Sequence, residues 1–327
     1  MKFYTTSLLF ILMIPLLKAQ DVQFSQFYAN PIYLAPSYAG STHGTRLVGN
    51  YRDQWPKIPG TYISNSFSVD HFFERYKTGM GLSFFSDNAG AGKLVTYDIT
   101  YSYSYKAQLM KDLFFQPGLA AYYYSRSINY EKLSFADQFF DSRFIGSTSE
   151  SLSYERIQHA DFAVSGLLYN SFSWGGFTVD HLMNLSPVLR KKNSYSDMRF
   201  TLFGGKKFVI RDVLRRTNDD YISVAFKYNY QSQLHQLDLG AYYYKDPLMF
   251  GIWYRGTPAG NEYSTSDAII FLLGVQYRIY TFSYNYDMTI NELITSTGGS
   301  HEISLTVTLD GSYNKKKKYK ALPCPKF

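Results

Sequence analysis

The chain has 327 residues, a formal charge of +7, a single cysteine and 19% aromatic residues, among them 32 Tyr and 26 Phe. One Cys excludes an internal disulfide framework, and no apolar run after the first residues approaches the ~20 needed for a transmembrane helix. A mean hydropathy of −0.24 leaves two classes open: a soluble β protein, or a membrane barrel whose alternating strands hide from hydropathy windows.

The opening residues MKFYTTSLLFILMIPLLKAQ read as a secretory signal peptide over residues 1–19. Lys2 is the charged n-region, Leu8 to Leu17 the apolar h-region broken by Pro15, and Leu17-Lys18-Ala19 the small-residue cleavage site. That apolar stretch is too short to span a bilayer as an anchor. No Cys follows the site to carry a lipid, and removing Lys2 and Lys18 takes the charge from +7 to +5.

Residues 20–44 hold Pro31 and Pro36 and lack sustained alternation, so they make a poor wall strand. They are nevertheless dense in Phe24, Phe27, Tyr28, Ile32, Tyr33, Leu34 and Tyr38. A segment this apolar is expected to pack in or under a larger sheet structure rather than trail in solvent.

From residue 45 the dominant period is two. Fourteen candidate strands follow, at about 45–52, 61–71, 78–86, 94–105, 113–124, 160–170, 174–183, 198–208, 219–230, 234–245, 248–255, 267–276, 278–287 and 301–309. In Thr96–Tyr105, TYDITYSYSY, the odd positions Tyr97, Ile99, Tyr101, Tyr103 and Tyr105 oppose Thr96, Asp98, Thr100, Ser102 and Ser104. Successive strand side chains point to opposite faces, so such segments suit a wall with lipid on one side and a wet lumen on the other. The connections alternate as well. RDQWPKIPG, SDNAGAGK, the 125–159 segment, NLSPVLRKKNSYSD, GTPAGNEYSTS and MTINELITSTGGS are long, whereas the connections between them are mostly tight; Gln231–Gln233 is a tight exception on the long side. Long external loops with short periplasmic turns are the outer-membrane pattern. The fold expected is all-β, a transmembrane antiparallel barrel of about 14 strands over residues 45–310, with a basic periplasmic tail at 311–327. The soluble rival, a large β-sandwich, accounts for the alternation but not for the loop parity.

Catalytic chemistry is hard to assemble. The six His are scattered; His301-Glu302 begins a zinc-like HExxH but lacks the second His and lies in a strand pattern. Gly90-Ala91-Gly92-Lys93 lacks the first Gly and the Ser/Thr of a phosphate loop, having Asp87 and Leu94 there. No catalytic, cofactor or metal residues are expected, and the chain reads as a non-enzyme. Two segments read as partner surfaces. The 125–159 loop mixes charges with Phe135, Phe139, Phe140 and Phe144, and loops of that length are usually functional or disordered. The tail carries Lys315, Lys316, Lys317 and Lys318 and ends in Phe327. Such a run fits a solvated tail, an anionic lipid or nucleic-acid patch, or an acidic periplasmic partner; the periplasmic side argues against nucleic acid.

QFSQFYANPIYLAPSYAGS after the signal, YRDQWPKIPGTY, GLSFFSDNAG, GGSHEISL and the terminal CPKF together resemble the PorP/SprF family of outer-membrane proteins associated with type IX secretion and gliding motility. These stretches run from the mature N-terminus to the last residue. The resemblance implies an integral outer-membrane barrel without catalytic residues, working with secretion and motility components or with a secreted, adhesin-type surface protein through that protein's C-terminal domain. Three readings stay open: a barrel that captures, helps export or anchors such a protein through its lumen and loops; a structural subunit docked to periplasmic machinery; and a diffusion porin. The partner-binding set expected from the sequence is Phe24, Phe27, Tyr28, Tyr33, Tyr38, Phe135, Phe139, Phe140, Phe144, Lys315–Lys318 and Phe327.

Overall fold

Alternation of apolar and polar side chains runs from Gly44 almost to the end of the chain, and in a computed structural model of the protein each alternating segment is a strand. The structure describes residues 21–42, 44–60, 62–90, 94–128, 133, 136–140, 143, 144, 146, 155–185, 197–211, 220–232, 234–257, 266–290 and 294–310. The expected signal peptide and the basic tail therefore lie outside the described residues.

The wall strands are β1 Gly44–Gln54, β2 Tyr62–Phe73, β3 Thr78–Ala89, β4 Leu94–Tyr105, β5 Leu113–Ile128, β6 Glu155–Tyr169 and β7 Ser173–Asp180. They continue as β8 Arg199–Arg211, β9 Asp220–Gln231, β10 Leu234–Lys245, β11 Leu248–Gly256, β12 Ser266–Tyr277, β13 Tyr280–Thr289 and β14 Ser300–Asp310. Each pairs antiparallel with its sequence neighbour. β1 pairs with β14 from Gly44↔Asp310 to Gln54↔Ser300, which closes a 14-stranded barrel. A short strand, Ala107–Met110, extends β4 along the start of β5. Closure removes every open edge, the condition for a sheet to reside in lipid.

β5 and β6 reach further than the expected 113–124 and 160–170. Their ladder continues through Ser127↔Arg156 and Ile128↔Glu155, with Ser125 and Ser127 keeping the inward polar phase. Conversely β7 stops at Asp180, and a 3-10 turn, Leu182–Leu185, follows.

The two faces have opposite chemistry. Outward stand Phe67, Leu82, Ile99, Tyr101, Leu119, Phe177, Leu202, Leu239, Ile252, Leu273 and Leu305, each about half exposed. Inward, Ser64, Ser66, Ser68, Asp70, Ser102, Ser104, Ser283, Asn285, Asp287, Glu302 and Ser304 are buried. An apolar exterior around a polar interior inverts the arrangement of a soluble domain; hydrocarbon outside the wall satisfies it. Connections 74–77, 106–112, 170–172, 246–247 and 278–279 form a short-turn end, and the other end carries the longer connections, with the step from Gln231 to Leu234 as its tight exception.

Candidate functional site

Residues 21–42 run inside the wall. Prolines break this stretch into single turns: 3-10 Phe27–Ala29, one α turn Pro31–Leu34 and 3-10 Pro36–Tyr38. Pro lacks an N–H and pre-sets φ, so it begins such turns without orphaning a donor. The segment starts beside the long-loop ends of β7–β9 at Asp21 and descends to the short-turn end. There the wall is thinned for it. A Cβ on Gly79 would lie 1.9 Å from the Ala39 carbonyl oxygen, and one on Gly118 2.2 Å from the Ser37 nitrogen. Gly40, at φ +63, faces Gly79 directly; the turn and the close approach both require glycine.

Wall side chains satisfy the segment's backbone. Glu302 of β14 accepts the Ser25 N–H at Oε2 (2.7 Å) and the Gln26 N–H at Oε1 (2.9 Å). Asp70 accepts from Gly40 N–H at 2.7 Å while pairing with Arg46 at 2.9 Å, and Arg46 Nη2 donates to the Tyr38 carbonyl. Ser104 Oγ and Gln116 Nε2 both donate to the Ala39 carbonyl, Thr178 to Leu34, and Ser165 Oγ accepts from Ser37 N–H. Ser283 and Ser304 hydroxyls donate to Gln26 Oε1. Buried backbone groups must be paired, and here strands far apart in sequence supply the partners.

Above these contacts a charged chain crosses the lumen: Lys227–Asp238 2.8 Å, Asp238–Arg255 3.1 Å, Arg255–Asp287 3.5 Å, Asp287–Arg52 2.9 Å and Arg52–Glu302 3.0 Å. It joins β9, β10, β11, β13, β1 and β14 and alternates in sign, so each buried ion has an opposite neighbour.

The aromatic residues of the segment dock on rings of the wall. Trp253 takes Phe27 edge-on at 5.1 Å and stacks on Tyr28 at 5.7 Å; Tyr28 also meets Tyr242. Phe24 and Tyr33 pack together and against Phe85, and Tyr38 against Phe203. Offset and edge-on rings at these separations add about 0.5–1.5 kcal/mol per pair beyond their burial.

Where the segment begins, His181 holds Asp21 through Nε2 at 2.8 Å and faces Asp161 through Nδ1 at 3.2 Å, while Arg199 bridges Asp21 (3.4 Å) and Asp180 (3.0 Å). Burial by itself lowers the imidazole pKa, but the Asp21 charge and the hydrogen bonds to Asp161 and Asp21 outweigh it and push His181 up to about 10. For Asp21, burial raises the carboxyl; His181, Arg199 and Gln231 prevail and hold it well below the usual carboxylate range. At neutral pH the pair is ionised.

Between this floor and the long-loop mouth lies a vestibule of about 410 Å³, lined by Arg52, Trp55, Tyr62, Asp87, Arg255 and Asp287 among others. Among the described residues no group of three or more His, Cys, Asp or Glu could hold a metal ion.

Of the residues singled out from sequence, Phe24, Phe27, Tyr28, Tyr33 and Tyr38 come together inside the barrel. Phe139–Phe140 and Arg143–Phe144 form a small hairpin. Phe135, Lys315–Lys318 and Phe327 lie outside the described residues. Arg52, His181, Lys227, Asp238, Arg255, Asp287 and Glu302 are absent from the partner-binding set read from the sequence. Their signal is a charge at an inward-phase position of a wall strand, or just past its end.

A family model described as type IX secretion system membrane protein PorP/SprF matches residues 16–307. Among solved structures, the Ralstonia pickettii toluene transporter TbuX aligns with a TM-score of 0.52 at 10% identity, over 86% of this chain and 94% of its own. The Pseudomonas putida toluene transporter TodX gives 0.46 at 10% identity over 85% and 93%, and a Pseudomonas aeruginosa FadL homologue 0.41 at 12% over 82% and 90%. At such identity the TbuX likeness speaks to the barrel fold alone. No curated protein matches in sequence.

Proposed function

The chain belongs to the PorP/SprF family of type IX secretion system membrane proteins, and from that premise we propose that it is a plugged barrel that receives a secreted surface protein at its long-loop mouth. It is an outer-membrane β-barrel of the type IX secretion family. In this reading the wall and the inner segment form a rigid socket. The vestibule and the external loops bind, help export or anchor the C-terminal domain of an adhesin-type protein, and no catalytic step is involved. The observation that carries it is the lumen floor. Residues 21–42 hydrogen-bond to β1, β2, β4, β5, β6, β7, β13 and β14, which disfavours an open diffusion pore. What stays accessible from the mouth is a polar, aromatic-edged cavity suited to a protein segment rather than to solute flow.

The test is deletion of residues 129–154, the connection between β5 and β6, with a short turn in its place. Barrel folding, read as heat-modifiable gel mobility, is expected to persist, while surface display of the cognate secreted protein is lost and other type IX export continues. Unchanged display would refute capture through this loop. Loss of all type IX export would assign the chain to the core machinery instead.

A further inference from the structure

The inward cations of the barrel and those on its short-turn rim are handled differently. Toward the long-loop end the inward cations Arg52, Arg199 and Arg255 are all ion-paired. On the short-turn rim Arg75, Lys77, Lys111, Lys206, Lys245 and Arg278 are exposed, and among the described residues none of the six forms an ion pair. They are spread around the ring, on the β2–β3, β4–β5 and β12–β13 connections and on β8 and β10, against Glu74, Asp112 and Asp246. A cation left unpaired beside lipid is unfavourable unless it reaches polar headgroups.

Their neighbours place them at that depth. Tyr76, Met110 and Tyr277 are among the most exposed apolar-bodied side chains of the protein, at 63%, 69% and 64%. Arg75 lies over Tyr76 at 5.6 Å, Lys206 over Phe208 at 5.3 Å and Arg278 over Tyr277 at 5.3 Å. Rings of this kind mark the boundary between hydrocarbon and headgroup. A Lys or Arg whose stem crosses such a ring presents its charge to the polar side. By contrast Lys207 is half-buried and turned onto Tyr221 at 4.1 Å.

We propose that the short-turn rim is a binding belt for the phosphodiester headgroups of anionic phospholipids, with Arg75, Lys77, Lys206 and Arg278 as its principal contacts. Guanidinium and ammonium groups donate charge-assisted hydrogen bonds to phosphate oxygens, and the adjoining rings cover the first methylenes of the lipid. The belt depends on membrane residence, not on capture of a secreted protein, so the two readings fail separately.

Native mass spectrometry of the detergent-solubilised full chain, titrated with phosphatidylglycerol or phosphatidylcholine, tests it. Each cation near an anionic lipid surface contributes roughly fivefold. R75Q/K77Q/K206Q/R278Q is expected to lower the phosphatidylglycerol-to-phosphatidylcholine occupancy ratio at least tenfold, whereas R75K/K77R/K206R/R278K keeps it within threefold. The far-end variant K57Q/R143Q/R156Q is expected to leave the ratio unchanged. A wild-type ratio in the quadruple Gln variant, or an equal loss in the far-end variant, overturns the belt and leaves an acidic protein surface as the better fit to the rim. Should the quadruple variant not fold, R75Q and R278Q singly read the same ratio, with about fivefold loss expected for each and no loss overturning the proposal.

Discussion

Replacing Glu302 by Gln removes the charge that holds the lumen floor while keeping the side chain's size. Glu302 accepts three hydrogen bonds, from Ser25 N–H at 2.7 Å, Gln26 N–H at 2.9 Å and Arg52 Nη1 at 3.0 Å, and it is fully buried. A neutral amide presents one acceptor oxygen, so at least one backbone N–H is orphaned and Arg52 loses one of its two ionic partners. Breaking a buried ion pair costs about 3–5 kcal/mol. Because Asp287 still reaches Arg52 at 2.9 Å, the lower end applies. A loss of about 3 kcal/mol corresponds to roughly 150-fold in the ratio of seated to unseated segment. Two assays read this directly. In planar bilayers the wild type is expected to be almost silent, E302Q to show frequent openings, and deletion of residues 21–41 to give steady conductance. A maleimide probe at S25C is expected to react slowly in the otherwise native chain and at least tenfold faster with E302Q. Equal labelling rates and equally silent traces, in barrels with normal heat-modifiable mobility, would refute the view that Glu302 seats the segment.

Three other perturbations probe different links. The docked His181 pKa of about 10 lies above its free value, so its contact with Asp21 is strongest below about pH 6.5 and is lost as pH rises through about 10. Asp21 has the opposite sign, contributing above the ordinary carboxylate range and failing only as strong acid protonates it. Labelling of V22C, divided at each pH by the rate for a free thiol because only the thiolate reacts, is therefore expected to rise on the alkaline side, and H181Q to abolish that normalised rise; a flat normalised profile in the parent would remove the pair from the docking energetics. G118V pushes side-chain atoms into the backbone of Ser37, where even a Cβ would stand 2.2 Å from nitrogen. Overpacking of this kind costs about 1–3 kcal/mol, and conductance is expected to rise as it does for E302Q. I99D places an acid on the lipid face at a position 52% exposed; it is expected to cost about 1–2 kcal/mol of membrane stability in urea titrations from vesicles, whereas T100D, on the lumen face, costs less. Equal midpoints would refute the assigned faces, and a lower midpoint for T100D would reverse them.

Much of the wall is written locally. In TYDITYSYSY every second residue is aromatic or aliphatic and the rest carry hydroxyls or a carboxylate, and a strand can satisfy that pattern only with two unlike environments. Fourteen such segments with unequal connections on alternate sides leave little choice beyond an up-and-down barrel. Where expectation and structure part, at the longer β5–β6 hairpin and the shorter β7, the cause is pairing. Ser127 extends its strand because Arg156 stands opposite, which position along the chain does not reveal.

The inner segment divides the same way. Proline content and aromatic density in residues 20–44 indicate something packed and not a strand, and that much depends on each residue's own chemistry. Its direction, from Asp21 near the long loops to Gly40 near the short turns, and its partners are set by contacts between residues as distant as Ser25 and Glu302, 277 positions apart. The six lumen ions look alike in sequence, each a charge in an inward phase. Only closure of the barrel, by bringing β1 against β14, arranges Arg52, Asp287 and Glu302 into one neutralised chain. Strand character and face are properties of a few neighbouring residues and can be read from them. Pairing of buried charges and the seating of the segment are properties of a closed cylinder and exist only once it has formed.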